Sequence, residues 1–323
     1  MHGRRLRLVP VLAALGVAVA ACGDGDSGGG AASSSAAPRM SAAAPAPSAG
    51  CVRNPPVLPG HAVTIDVPQA SITVDDPGTG ERRAPAMRPT AVGQAKLFTN
   101  TLQVSQVAGE QPSGGNRDVT LPLTSQPSCA DPLDVYLFFD APSSTDTALT
   151  TALEPEAGQV GRVRLAPTGE VRSFTIAAPA GVSAEAQGAF EQALLQTFLR
   201  LVPVPAEPVG TGATWTATRK IRADSNLTQT MKVTLAGTPE RPELSATVDE
   251  EPDDSLFRVP GSDRTLTIES FTSAGKGTAT IDPARAFPVD GGVQLEGGRT
   301  LAGDDAARKL TQKTGSIYRF DPK

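Results

Sequence analysis

Aromatic side chains are scarce in this 323-residue sequence, at 4%, with one Trp and two Tyr. Any core must therefore be built mainly from Val, Leu, Ile and Ala. Histidine is nearly absent, with only His2 and His61. That excludes an imidazole-rich zinc site and leaves His61, beside a Pro-Gly turn, as the one base for a Ser-His-Asp triad beyond the first residues. No P-loop, dinucleotide fingerprint or zinc-ligand spacing occurs, so neither a cofactor nor a metal is expected. Apolar runs are short, and none reaches the roughly eighteen residues of a transmembrane helix. Positive charge is also short, with 29 basic against 34 acidic side chains. An acidic chain is a poor ligand for nucleic acid or for an anionic lipid surface.

What is present begins with an address. Arg4, Arg5 and Arg7 precede thirteen uncharged residues, Leu8 to Ala20. These form the n-region and h-region of a secretory signal, too short for a stable span. The run closes Val19-Ala20-Ala21-Cys22, which resembles the lipobox of bacterial lipoproteins. There, small residues admit the signal peptidase and the thiol accepts a diacylglycerol group. The resemblance implies cleavage after Ala21, acylation of Cys22 and a place on the outer face of the cytoplasmic membrane. The alternative is an ordinary secretory signal with a chance cysteine. Removing residues 1–21 leaves 26 basic and 34 acidic side chains, a net charge of −8, so anchoring would rest on the acyl groups.

Residues 22–50 are rich in Gly, Ser, Ala and Pro and hold no aromatic. Such a segment buries too little apolar surface to offset its ordering entropy. It is expected to be a disordered tether with a reach of about 30 Å. The remaining cysteines, Cys51 and Cys129, are an even pair in an exported chain, where disulfides persist. A Cys51–Cys129 bridge is expected, fastening the start of the folded region just beyond the tether.

Residues 51–323 are expected to form a β-rich folded region, with 51–140 a candidate N-terminal part and 141–323 the core. Period-two alternation runs through AVTIDV (62–67), ASITVD (70–75), KLFTNTLQVSQV (96–107) and DVTLPL (118–123). LDVYLFF (133–139) is a continuous apolar run, as expected of a central strand. Further short strands follow to the C-terminus, separated by turn signals such as Pro167-Thr168-Gly169. Gly275 to Gly277 is expected to be one such hairpin turn.

One helix stands out. Ser183 is an N-cap, and Phe190, Leu194, Phe198 and Leu201 form one stripe as far as Leu201. Pro203 ends it. The predicted fold is α+β: a mainly antiparallel, curved, half-barrel-like sheet with this amphipathic helix, about 183–201, across its concave face. Phe190, Leu194, Phe198 and Trp215 are candidates to line an apolar cavity there. The other reading of the same periodicity is a filled core.

Pro205-x-x-Pro208-Val209-Gly210-x-Gly212-Ala213-x-Trp215 resembles a segment of an uncharacterised family of actinobacterial lipoproteins. The broader similarity spans roughly Gly161 to Asp290 and brings no activity with it. In architecture alone the pattern is similar to that of lipid-carrying envelope lipoproteins.

Catalysis has one suggestive pattern. Ser273-Ala274-Gly275-Lys276 and Lys313-Thr314-Gly315 match the Ser-x-x-Lys and Lys-Thr-Gly elements of penicillin-binding proteins. There, the Ser-x-x-Lys opens a helix, whereas here strand-like sequence follows, so no catalytic residue is assigned. The acidic run Asp249 to Ser255 lacks the glycine and alternation of a calcium loop. The expected function is a membrane-anchored, non-catalytic lipoprotein that binds a lipid or other apolar ligand, or a cell-envelope partner. The alternatives are a serine acyl-enzyme using Ser273, Lys276 and Lys313, or a purely structural envelope protein.

Overall fold

The computed structural model describes residues 50–322, apart from 223–224, 260–261 and 306–307. The expectations for residues 1–49, including the signal, Cys22 and nearly all of the tether, lie outside the described residues.

The chain opens with three short strands, β1 (Val63–Asp66), β2 (Ser71–Asp76) and β3 (Thr79–Arg83). Two long strands follow, β4 (Gly93–Val107) and β5 (Ser113–Pro127), and then β6 (Asp134–Phe139). Helix α1 (Thr147–Leu153) and a 3-10 turn (Glu154–Glu156) lead to β7 (Val160–Leu165) and β8 (Val171–Ile176). Helix α2 (Ala184–Phe198) precedes β9 (Val209–Thr211), β10 (Thr214–Arg222), β11 (Asn226–Leu235), β12 (Glu243–Pro252) and β13 (Leu256–Arg258). The chain closes with β14 (Thr265–Thr280), β15 (Asp290–Ala302) and β16 (Leu310–Pro322).

Among the described residues, fourteen strands make one antiparallel sheet, and β3 and β9 form a separate ribbon. The sheet order is β1-β8-β7-β6-β5-β4-β16-β15-β14-β12-β11-β10-β2, with β13 attached to β14. Strands from 51–140 and from 141–323 thus share the sheet, and C-terminal β16 lies between β4 and β15.

The half-barrel expectation is corrected here. The sheet is not curled, and its path is open: no ladder joins β1 to β2 at its two ends. Residues 67–70 connect these strands, but Pro68 has no N–H to give to a ladder. Local contacts take over instead. Val67 N–H donates to Arg172 O, and Gln69 Nε2 donates to Val67 O and Val171 O. Ala70 N–H donates to the Glu170 carboxylate at 2.8 Å.

Glycine misled the sequence reading in β14. The turn expected at Gly275 to Gly277 is absent, and the strand runs straight through it. A Cβ on Gly275 would stand 1.8 Å from Gln294 O on β15. The residue is small because two backbones approach closely there, not because the chain reverses.

One face of the sheet carries the core. On β10 to β12 the buried positions alternate strictly, as in Leu244, Ala246 and Val248. The register runs Val293 to Tyr318 to Thr99 to Val119, so the same face continues across β15, β16, β4 and β5. Two coverings protect it. Helix α2 packs Ala186, Phe190, Leu194 and Phe198 onto Leu97, Leu121, Phe139 and Phe174. Ser183 caps its N-terminus, accepting from Ala186 N–H at 3.1 Å. The helix ends at Phe198, three residues short of the sequence reading, with Leu199 as its C-cap. The connector that follows provides the second covering. Val202, Val204, Val209 and Ala213 lie over Trp215, Met231, Val233 and Val248.

Cys51 and Cys129 are disulfide-bonded across a sequence separation of 78 residues. Closing a loop of that length restricts the unfolded chain by about 4–5 kcal/mol in the chain-entropy view. Replacing both cysteines with serine is expected to lower stability by about that amount. Urea unfolding of the variant, beside wild type with and without reductant, checks it.

Candidate functional site

The described residues with the densest buried polar chemistry lie where the two coverings meet. Arg219 on β10, Gln229 on β11 and Glu250 on β12 stand directly opposite one another on the buried face. Ser273 on β14 continues the row, and its hydroxyl donates to Glu250 Oε2 at 2.8 Å. Gln229 Nε2 donates to Glu250 Oε1 at 2.9 Å. From above, Arg200, just past α2, places Nη2 2.8 Å from the same oxygen. Its guanidinium also lies 5.5 Å from the Tyr318 ring centre.

A second pair adjoins the first. Arg219 Nη2 lies 3.3 Å from Glu170 Oε1 and donates to Leu201 O. Glu170 also accepts from Ala70 N–H and, at 3.0 Å, from the Thr168 hydroxyl. All four charged side chains are at least nine-tenths buried.

Burial acts against each of these charges, and the partners decide the outcome. Burial alone would raise Glu250. The Arg200 charge and hydrogen bonds from Gln229 and Ser273 outweigh it, and the carboxyl sits below its ordinary value. Burial pulls Arg219 down to about 10, with Glu170 opposing and Arg200 reinforcing the shift. Burial also raises the Tyr318 phenol, against the pull of Arg200.

Several polar atoms here have no hydrogen-bond partner: Arg200 Nε and Nη1, Arg219 Nη1 and Gln229 Oε1. Beside Arg200, between the end of α2 and β15 and β16, is a cavity of about 20 Å³. Leu201, Val202, Val293, Tyr318 and Phe320 help to line it. That volume holds about one water molecule, which suits the unpartnered Nε and Nη1 of Arg200. It is far too small for an acyl chain.

The candidate cavity residues fall in two places. Phe190, Leu194 and Phe198 come together, 0–1% exposed, with Phe190 edge-on to Phe139 and Phe198 edge-on to Phe174. Trp215, also wholly buried, belongs to the other cluster, and its Nε1 donates to Pro203 O at 2.9 Å. All four side chains are thus buried, in two separate apolar clusters.

The strand geometry separates the residues of the acyl-enzyme alternative. Ser273 and Lys276 lie three apart on one strand, so their side chains leave opposite faces. Lys313 lies opposite Gly298, itself opposite Thr272, which puts it on the face of Lys276. Neither lysine can take a proton from Ser273, whose hydroxyl already serves Glu250. His61 is exposed, 3.0 Å from Ala178 O. Asp253 of the acidic run is paired with Lys220 at 2.7 Å. No cluster of metal-ligating side chains occurs among the described residues.

The sequence reading missed Arg200, Arg219, Glu170, Gln229 and Glu250. One signal was available. Arg219 follows Trp215 and Ala217 at the buried parity of β10, and Glu250 follows Leu244, Ala246 and Val248 on β12.

No known protein family and no curated protein matches the chain. Among solved structures it is similar to DynF from the dynemicin biosynthesis pathway of Micromonospora chersina. That likeness is 12% identical, covers 83% of this chain and 92% of that one, and has a TM-score of 0.21. It is too weak to establish a common fold.

Glu250→Leu is expected to cost about 3–5 kcal/mol, because it strands the buried Arg200 charge. Adding Arg200→Met should recover much of that loss. Urea unfolding of the two singles and the double measures the coupling. A depressed carboxyl stabilises the fold above its unfolded value. The Glu250 contribution should therefore be complete above about pH 4.5 and lost as pH falls through the lower folded value.

Proposed function

We propose that this chain is a lipid-anchored extracytoplasmic lipoprotein, held to the outer face of the cytoplasmic membrane through Cys22. Residues 23–50 act as the tether. The folded region is a non-catalytic module that binds a cell-envelope partner. Its fold is α+β, with α2 as the principal helix, and it belongs with the actinobacterial lipoproteins that the Pro205 to Trp215 segment resembles.

The Cys51–Cys129 disulfide is the observation that carries this reading. It bridges the first folded residues to the end of β5, directly after the Gly/Ser/Ala/Pro segment, as suits a domain exported and then held at a distance from its anchor. The burial of Phe190, Leu194 and Phe198 against the sheet favours a partner at the surface over a lipid held inside. The commitment of Ser273 to Glu250 favours a module without an acyl-enzyme step.

Detergent-phase partitioning tests the anchor. Wild type is expected in the detergent phase as the cleaved, acylated form, and Cys22→Ala is expected to lack the acyl mass and to keep an unprocessed leader. Identical behaviour of the two would remove the lipid anchor. Native mass spectrometry of protein purified from its host, followed by solvent extraction, tests the mode of action. A clean mass without bound lipid is expected from the folded region. A co-purifying lipid lost on a bulky substitution at Leu194 would replace the partner with an apolar ligand.

A further inference from the structure

The buried row has more donors than its carboxylates can serve. Both oxygens of Glu250 are in use: Oε1 faces Gln229 Nε2 and Arg200 Nη2, and Oε2 accepts from the Ser273 hydroxyl. Glu170 is in use likewise, by Ala70 N–H, Arg219 Nη2 and the Thr168 hydroxyl. Arg200 Nε and Nη1 are left buried without an acceptor, and so is Arg219 Nη1. The two arginines and two glutamates balance in charge. What the site is short of is acceptors. A buried donor without one is costly, and more so on a charged group.

Arg200 forms part of the wall of the cavity of about 20 Å³ between the end of α2 and β15 and β16. No carboxylate or amide side chain shares that wall. Leu201, Val202, Val293 and Phe320 bring hydrocarbon to it. The Thr197 hydroxyl is turned to Ala193 O at 2.8 Å, and the Tyr318 phenol is bonded to Ser316. Thr278 is exposed, with its hydroxyl on the opposite face of β14 from buried Ala279.

We propose that this cavity is a site for a monatomic anion, a halide such as chloride, held by the Nε–H and Nη1–H groups of Arg200. A water molecule fits the volume, but its own hydrogens need acceptors that this wall is poor in. A halide only accepts, and its bonds to a guanidinium are charge-assisted. Polyatomic anions such as sulfate and phosphate exceed the room. The ion sits where the end of α2 meets β15 and β16, so binding it tightens the contact between that helix and the sheet. The site is independent of the anchor and of the partner.

Urea unfolding of the full chain in sodium chloride, beside sodium gluconate at equal ionic strength, tests the site. Gluconate is too bulky to enter, and equal ionic strength holds general screening constant. Exchanging gluconate for chloride at about 0.2 M should raise the folding equilibrium constant of wild type about tenfold, the factor for a dissociation constant of ~20 mM. Arg200→Met combined with Glu250→Leu removes the guanidinium together with its counter-charge and should show no such rise. An equal response in the two proteins, or none in either, would overturn the site. Bromide-soaked crystals of wild type provide a second measurement without a variant. An anomalous peak within hydrogen-bond reach of Arg200 Nε or Nη1 supports the proposal. A water at that place, with bromide only elsewhere, overturns it. A bromide peak there without a chloride effect in solution is binding at crystal concentration only, and overturns it too.

Discussion

The two ends of the sheet path are tied together by one carboxylate. Glu170 stands just before β8, accepts from Ala70 N–H just before β2, and holds Arg219 on β10. Pro68 prevents a backbone ladder between β1 and β2. A side chain must therefore make the connection, and it must do so out of water. Every further charge in the buried row follows from that requirement. Arg219 neutralises Glu170, and Glu250 with Arg200 extends the pairing to the end of α2.

This arrangement joins two coverings that would otherwise be independent. Helix α2 closes the core on β4 to β8, and the connector closes the core on β10 to β15. Arg200 and Leu201 lie at the junction, one through its guanidinium and the other through its carbonyl. A buried ion pair adds little net stability over a hydrophobic isostere. Its value here is positional. An arginine stranded without its glutamate is far costlier than a misplaced Leu, so α2 and the sheet have one register in which all four charges are satisfied.

The long strands carry a different constraint. β14, β15, β16, β4 and β5 span 13 to 16 residues each, and β16 must pair on one side with β4, made some two hundred residues earlier. Such distant pairings form slowly, because loop-closure entropy is lost before contacts form. The Cys51–Cys129 bridge shortens part of that search, since it closes a loop that contains β1 to β5. Glycines at 275, 277 and 291 let the backbones of β14 and β15 approach closely.

The sequence by itself determined what depends on neighbours along the chain. Period-two alternation located β1, β2 and β4 to within a few residues, the apolar run LDVYLFF located β6, and the Phe190–Leu194–Phe198 stripe with its Ser183 cap located α2. The Cys51–Cys129 pair followed from counting. The proposed anchor at Cys22 rests on sequence alone. Helix α1 was missed because seven residues make too short a period to register. Tertiary structure decided the rest. Trp215 and Phe198 are both large buried aromatics but join different cores. Ser273 and Lys276 look like a catalytic pair until the strand sends them to opposite faces. Arg219, Gln229 and Glu250 become one site only when β10, β11 and β12 lie side by side. Periodicity is a local property of the backbone. Strand order and register are set by contacts between residues far apart in the chain, and no window of sequence contains them.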